Sequence, residues 1–453
     1  MKVIPFVHEG LGNSSYVVDI GDGKAVLIDP DRVAGRYLRV LEDLGLSAAG
    51  VFETHLHADF ISGAREVQHQ AGAPLFLPEG AASSLSHTPL RAGDLRRLDG
   101  IEVSVVGSPG HTPEHLSYVI QGASGPPLLF SGGSLIVGGA ARTDLISPDA
   151  TDSLTRAQYR TLRDAFAALP DETLLYPTHG GGSFCSTGAG GERISTLGRE
   201  RTDNPLLSMT GEDEFAAWFP STFPAVPDYF FRLRPINQQG PSLRGDVPFP
   251  PPLSPDEFAE RRSSAVVIDA RGMDAYARGH IPGTLNNPLR DAFAVWLGWL
   301  VPAGAELLFV VDRDADVERL VDESMLVGYE RFGGWLSGGM EAWEKSGRTR
   351  AATGLAGAPE AREDVLGGAT ALDVREPAEY DTGHIPGAVN VPLGRLAAEL
   401  DRVPAGEAIV VYCGHGERAS SAISILESAG RKGLVNLEGG IGAWAKAGYA
   451  VQA

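Results

Sequence analysis

Residues 267–289 return, almost in step, at 372–393. Val267-Ile268-Asp269-Ala270-Arg271 is answered by Leu372-Asp373-Val374-Arg375, Gly279-His280-Ile281-Pro282-Gly283 by Gly383-His384-Ile385-Pro386-Gly387, and Asn286-Asn287-Pro288-Leu289 by Asn390-Val391-Pro392-Leu393. Asp269 and Asp373, His280 and His384, Pro288 and Pro392 share one offset of 104. Further on, Gly338-Gly339-Met340-Glu341-Ala342-Trp343 matches Gly439-Gly440-Ile441-Gly442-Ala443-Trp444 at an offset of 101, so a small length difference lies between. The C-terminal half is a tandem duplication. Each copy runs strand, Gly-Pro turn, second apolar strand (307–311; 409–412) and helix, the alternation of a parallel α/β sheet.

The proline-rich run from Pro248 to Pro255 cannot continue a helix or a central strand and reads as a linker. A looser stretch, Ala356-Gly357-Ala358-Pro359, separates the copies. The expected division is a first domain at 1–240, a linker at 241–256, and repeat domains at 257–355 and 356–453. At roughly 150 residues per domain, a chain of 453 residues has room for these three. Before residue 240, short strands with turn signals (Tyr16 to Asp19, Gly21-Asp22-Gly23, Ala25 to Pro30) alternate with helical stretches, which suits an α+β sandwich.

Thirty-eight basic against fifty-eight acidic residues give a net charge of −20, without any Lys/Arg-rich run, so nucleic acid and anionic membrane surfaces are poor partners. The longest apolar stretch, 292–305, is broken by Pro302 and is short of the roughly 20 residues a membrane span needs. The N-terminus lacks the apolar core of a signal peptide. Two cysteines, Cys185 and Cys413, cannot build a disulfide framework and point to a reducing compartment. A cytoplasmic protein is expected.

Three segments place histidines on loops at strand ends: Thr54-His55-Leu56-His57-Ala58-Asp59, Ser108-Pro109-Gly110-His111-Thr112-Pro113-Glu114-His115, and Tyr176-Pro177-Thr178-His179-Gly180-Gly181. One such histidine is ordinary; three on a rigid framework can be aimed at a common metal. This part resembles the metallo-β-lactamase superfamily, whose fold is an αββα sandwich. Within it, Thr-His-x-His-Ala-Asp with Pro-Gly-His-Thr-Pro resembles the persulfide dioxygenase branch, as do Arg142-Thr143-Asp144 and the run from Arg199 to Pro205. The resemblance implies Fe(II) held by two histidines, here His55 and His111, and an aspartate. That aspartate is missing: the pattern Phe-Thr/Ser-Gly-Asp reads Phe130-Ser131-Gly132-Gly133, with glycine at the third-ligand position. Two readings stay open. Either iron is gone and the domain binds substrate or a partner, or iron persists with water, an anion or a neighbour such as His57 in the gap.

His57, Asp59 and His179 read as hydrogen-bonding groups around whatever His55 and His111 hold. Arg142 and Cys185 are expected on the substrate side, Cys185 being either a sulfur-handling thiol or a small buried hydrophobe. Asp144 reads as structural. A glyoxalase II-like thioester hydrolase is a weaker alternative, because its bridging aspartate and the histidine after Asp59 are replaced by Gly133 and Phe60.

In the last repeat, Ile409-Val410-Val411-Tyr412 leads into Cys413-Gly414-His415-Gly416-Glu417-Arg418-Ala419-Ser420, with a helical pattern from Ala422 onward. A cysteine between a strand end and a helix start sits where backbone N–H groups and the helix dipole favour an anion. Gly414 and Gly416 let the loop curl, and Arg418 adds positive charge. With Asp373-Val374-Arg375 and Gly383-His384-Ile385-Pro386-Gly387, the loop resembles the active site of the rhodanese family. That implies Cys413 as a persulfide-carrying nucleophile, Arg418 beside it, and Gly414, His415, Gly416 and Glu417 as the persulfide loop. The first repeat has Asp312 where the second has Cys413; a carboxylate cannot carry sulfane sulfur, so that copy is expected to be inactive, with Asp312 a capping or solvated residue.

The order of domains resembles bacterial fusions of a persulfide dioxygenase with rhodanese domains. The expected function is sulfurtransfer through a Cys413 persulfide coupled to oxidation of low-molecular-weight persulfide to sulfite; the alternative is a sulfurtransferase or persulfide carrier whose N-terminal domain is metal-free. Partners would be small persulfides such as glutathione persulfide, thiosulfate, sulfite and low-molecular-weight thiols. No organic cofactor is expected, and a homo-oligomer is.

Overall fold

The computed structural model describes every residue except 99, 188–190 and 406–407. It divides into two compact units, Met1–Val247 with Ser324–Gly328, and Pro248–Glu323 with Tyr329–Ala453.

The first unit is built on two six-stranded sheets. One runs Lys2–His8, Asn13–Gly21, Lys24–Ile28, Ser47–Phe52, Leu75–Pro78, Thr88–Leu90 in spatial order; the other runs Ser195–Thr196, Leu174–Pro177, Leu128–Gly132, Leu116–Gln121, Ile101–Gly107, Leu95–Leu98. Alternation along the strands sends Val18, Val26 and Phe52 from one sheet and Val103, Tyr118 and Phe130 from the other into a shared core. The opposite face of the first sheet is covered by the helices Gly35–Asp43 and Ala64–Ala71, through Tyr37, Leu41 and Val67. Leu162, Phe166, Phe215 and Phe219 cover the second. The result is the expected αββα sandwich. The strands Ser47–Phe52, Ile101–Gly107, Leu128–Gly132 and Leu174–Pro177 all end toward one rim, which brings the three histidine loops and Gly133 together.

The second unit holds the duplication as two five-stranded parallel sheets of the same order: Pro252–Leu253, Phe332–Leu336, Leu307–Val310, Val266–Asp269, Leu285–Asn286, and Gly354–Ala356, Leu434–Leu437, Ile409–Tyr412, Thr370–Asp373, Val389–Asn390. The recurring residues hold the same turn twice. Arg271 donates to both oxygens of Asp269 and to the Gly279 carbonyl, as Arg375 does to Asp373 and the Gly383 carbonyl. The amides of Asn286 and Asn390 each donate to two carbonyls of the facing strand end. His280 stacks on Tyr276, and His384 on Tyr380, at 3.8 and 3.7 Å between ring centres.

The proline-rich segment differs from its reading as a linker. Pro252–Leu253 is an edge strand beside Phe332–Leu336, and Ser254 caps the helix Pro255–Arg261. An edge position tolerates proline because its missing N–H faces away from the ladder, and proline suits the first turn of a helix. Likewise Ala356 ends an edge strand and Ala358 begins the helix Ala358–Leu366. The helix after Cys413 starts at Glu417, earlier than the apolar pattern suggests. Among the described residues, no helix is long and apolar enough to cross a membrane.

Candidate functional site

In the first unit His55, His111 and His179 each offer a ring nitrogen within 4.8 Å of the others, and all three side chains are buried. Their outer partners fix which nitrogen carries the proton. His111 Nδ1 lies 2.6 Å from the Arg142 carbonyl, which can only accept, so this ring donates from Nδ1 and turns a lone pair on Nε2 inward. His55 Nδ1 lies 2.9 Å from the Thr54 hydroxyl, whose own proton goes to Asp29 at 2.7 Å. His179 Nδ1 faces Asn13 Oδ1 at 3.2 Å and Asp59 Oδ2 at 3.3 Å. Each Nε2 is thereby left as an acceptor, and those of His55 and His179 face each other at 3.3 Å. Two lone pairs held this close suit a shared cation. Burial, followed by the neighbouring imidazoles, holds His55 well below its ordinary pKa and takes His111 down to about 3, so both rings are neutral, as ligands must be.

Gly133, at the position where the resemblance calls for an aspartate, has no room for a side chain. A Cβ there would stand 2.6 Å from His111 Cδ2 and 3.0 Å from Ala141 Cβ. Its N–H donates to His115 Nε2 at 3.0 Å, and burial keeps that histidine neutral. His57 does not turn toward the gap. Its Nε2 lies 3.0 Å from Glu53 and 3.3 Å from Asp29, and its ring stacks on Phe60 at 4.2 Å. Burial opposes its charge, but the two carboxylates carry its pKa up to about 10, and an imidazolium has no lone pair to give. Asp59 is held down to about 2, its burial outweighed by His179 and His57, so it stands behind His179 as an anion.

Several contributors carry no clear sequence signal. Asp29 has φ +47, outside the usual range for a non-glycine residue, and gathers the Thr54 amide and hydroxyl, the Thr178 hydroxyl and His57. Thr54 sits inside the first histidine motif, whereas Asn13 comes from a distant strand. The Arg142 guanidinium is taken by Asp144 through two bonds of 2.7 and 2.8 Å, and its carbonyl is what orients His111. Cys185 is fully buried; burial, then the Asp59 charge, raises its pKa well above the ordinary value, so it is held as the thiol.

The second centre lies in the second unit. Cys413 follows the central strand Ile409–Tyr412 and is 1% exposed. The Gly416 amide, one residue before the helix Glu417–Ser428, donates to its Sγ at 3.1 Å. Gly416 has φ +115, a conformation that favours glycine, and a Cβ there would press on Met273 Sδ at 2.7 Å. The Cys413 carbonyl accepts from the Ile441 amide at 2.8 Å, inside the second of the repeated Gly-Gly motifs. Arg418 reaches both oxygens of Glu379 at 2.7 Å. His415 is exposed at the mouth of the loop.

Comparison with known proteins follows this division. The rhodanese-like domain family matches residues 254–346 and 358–447, and the metallo-beta-lactamase superfamily matches residues 8–179. The chain is 29% identical over 194 residues to the mitochondrial persulfide dioxygenase ETHE1 of Homo sapiens, covering 42% of this chain and 69% of that protein. It is 32% identical over 168 residues to a hydroxyacylglutathione hydrolase of Dechloromonas aromatica, covering 37% of this chain and 54% of the relative. Among solved structures, a metallo-beta-lactamase from Staphylococcus aureus subsp. aureus COL superposes with a TM-score of 0.66 at 28% identity, over 74% of this chain and 98% of that one.

Proposed function

The chain joins an N-terminal metallo-β-lactamase domain to two rhodanese-like domains, and from that premise we propose a cytoplasmic enzyme of sulfur metabolism with two working centres. At the second, the Cys413 thiolate attacks the sulfane sulfur of thiosulfate or of a small persulfide. A Cys–S bond forms, the donor's S–S bond breaks, and sulfite or a thiolate leaves with the electron pair. An acceptor thiolate or cyanide then takes the outer sulfur and returns Cys413 as thiolate. The observation that carries this reading is the Gly416 N–H aimed at Sγ from a helix N-terminus, placed to hold negative charge on sulfur before and after transfer.

At the first centre the residues fit a metal ion: three inward Nε2 lone pairs, with Asp59 supplying charge behind His179. His55, His111 and His179 would hold Fe(II), which supplies dioxygen activation for the conversion of a persulfide RSSH, O2 and water into RSH, sulfite and two protons. Around it the chain's own part is orientation. Thr54, Asn13 and the Arg142 carbonyl hold the rings, and Asp59 makes His179 a stronger donor.

Protein purified anaerobically is expected to carry about one iron per chain and to consume oxygen on glutathione persulfide, with His179→Ala binding metal at least ~10-fold more weakly. Less than about a tenth of a metal per chain and no uptake would leave a sulfurtransferase with a non-catalytic N-terminal domain. At the other centre Cys413→Ser is expected to abolish thiosulfate:cyanide transfer, while Cys185→Ser keeps it within about twofold. Transfer surviving in Cys413→Ser would place the nucleophile elsewhere.

A further inference from the structure

The first repeat has no cysteine, yet it walls the loop of the second. Trp296, from its helix Phe293–Leu300, lies in the same buried cluster as Cys413, Leu393 and Ala419, with Ala292 packed at the edge. Asn286 Oδ1 accepts from the Ser420 hydroxyl at 2.5 Å, the Asn286 backbone N–H donates to the Ser424 hydroxyl at 3.1 Å, and Met273 Sδ sits against Gly416. His280 Nε2 meets Glu427 at 2.7 Å. These contacts line the helix that begins at the persulfide loop, and they fix the first repeat beside it.

Arg290 stands in that wall, between the strand Leu285–Asn286 and the helix Phe293–Leu300. It is half-buried, and its Nε has no hydrogen-bond partner. Glu417, Cys413, Arg418 and Asp291 lie close enough to act on its charge. The guanidinium inside the loop itself is spoken for: Arg418 is clamped by Glu379 through two bonds. An ion pair closed by two bonds offers little net charge to a third party.

We propose that Arg290 of the cysteine-less repeat is the anion-recognition residue of the Cys413 centre, and that it selects sulfane donors whose leaving group is an oxyanion, such as thiosulfate. When Cys413 attacks the outer sulfur of thiosulfate, the S–S bond to the sulfonate breaks and sulfite leaves as a dianion; a guanidinium with an uncommitted N–H holds the sulfonate, anionic in the bound donor as in the leaving group, so its contribution falls on binding. Burial lowers the Arg290 pKa and Arg418 adds to that, while Glu417 and the cysteine sulfur oppose it.

The substrate class assigned here rests on the sulfurtransferase reading, and the test separates the two. In Arg290→Met, KM for thiosulfate is expected to rise about tenfold with kcat within about twofold, and transfer from an uncharged trisulfide to stay near wild type. Arg290→Lys is expected to recover most of the loss. Independently of turnover, alkylation of Cys413 read by peptide mass is expected to show a lower ratio of iodoacetate to iodoacetamide rates in Arg290→Met, and a near-normal ratio in Arg290→Lys. An unchanged KM and alkylation ratio would overturn the proposal, as would equal losses on thiosulfate and the trisulfide, which mark a structural role. A wild-type protein that transfers no sulfur would retire the sulfurtransferase reading, and the alkylation ratio would still decide whether Arg290 attracts anions.

Discussion

Glycine at 133 removes a carboxylate and also the space for one. His111 and Ala141 have closed over the position, so an added Cβ would stand 2.6 Å from the imidazole. Restoring the aspartate is therefore not a simple reversion. Gly133→Asp is expected to lose about 1–3 kcal/mol from overpacking and to leave the metal content no higher than in wild type. Gly133→Ala separates the steric part and is expected to show most of the same destabilisation in thermal unfolding; metal binding that rises in Gly133→Asp would mean that His111 yields and the carboxylate ligates. The missing aspartate is legible in Phe130-Ser131-Gly132-Gly133, because four consecutive residues carry the pattern. The closure over it is not, since His111 and Ala141 come from other segments of the chain. For the same reason the sequence places His179 only as an outer group. Its approach to His55 depends on Asn13 and Asp59, which lie far from it in the chain.

The two repeats differ most in one short connection. In the second, residues 413–416 lead into the helix Glu417–Ser428, and a left-handed Gly416 turns its N–H onto the sulfur. In the first, the strand Leu307–Val310 reaches the helix Asp316–Leu326 through Asp312, Arg313, Asp314 and Ala315, all exposed and without a glycine. Arg313 folds onto Asp316. A thiol placed there would face solvent beside carboxylates, the reverse of an anion site. Asp312→Cys in a Cys413→Ser background is accordingly expected to stay at the background rate of thiosulfate:cyanide transfer; recovered activity would show that the cysteine alone makes the centre. These loops are legible because each element of the site falls within eight successive residues. The edge strand Pro252–Leu253 is less so, because proline argues against a strand until its place at the margin of a sheet is known.

Across the whole chain, what could be read in advance is what repeats or clusters locally: the duplication, the αββα class of the first unit, the three histidine loops and the Cys413 loop. What could not is anything contributed across the repeats. Arg290 sits in Pro288-Leu289-Arg290-Asp291 with no motif around it, and only the pairing of Asn286 with Ser420 and the seating of Trp296 hold its segment beside the Cys413 loop. The lock shared by both copies, Asp269-Arg271-Asn286 and Asp373-Arg375-Asn390, uses none of the residues 413–418 of the reactive loop. The information for folding a repeat and the information for its chemistry are thus written in separate residues. A copy without the cysteine therefore keeps the shape of the repeat, and its residues from Asn286 to Trp296 stand against the loop and helix of the copy that has one.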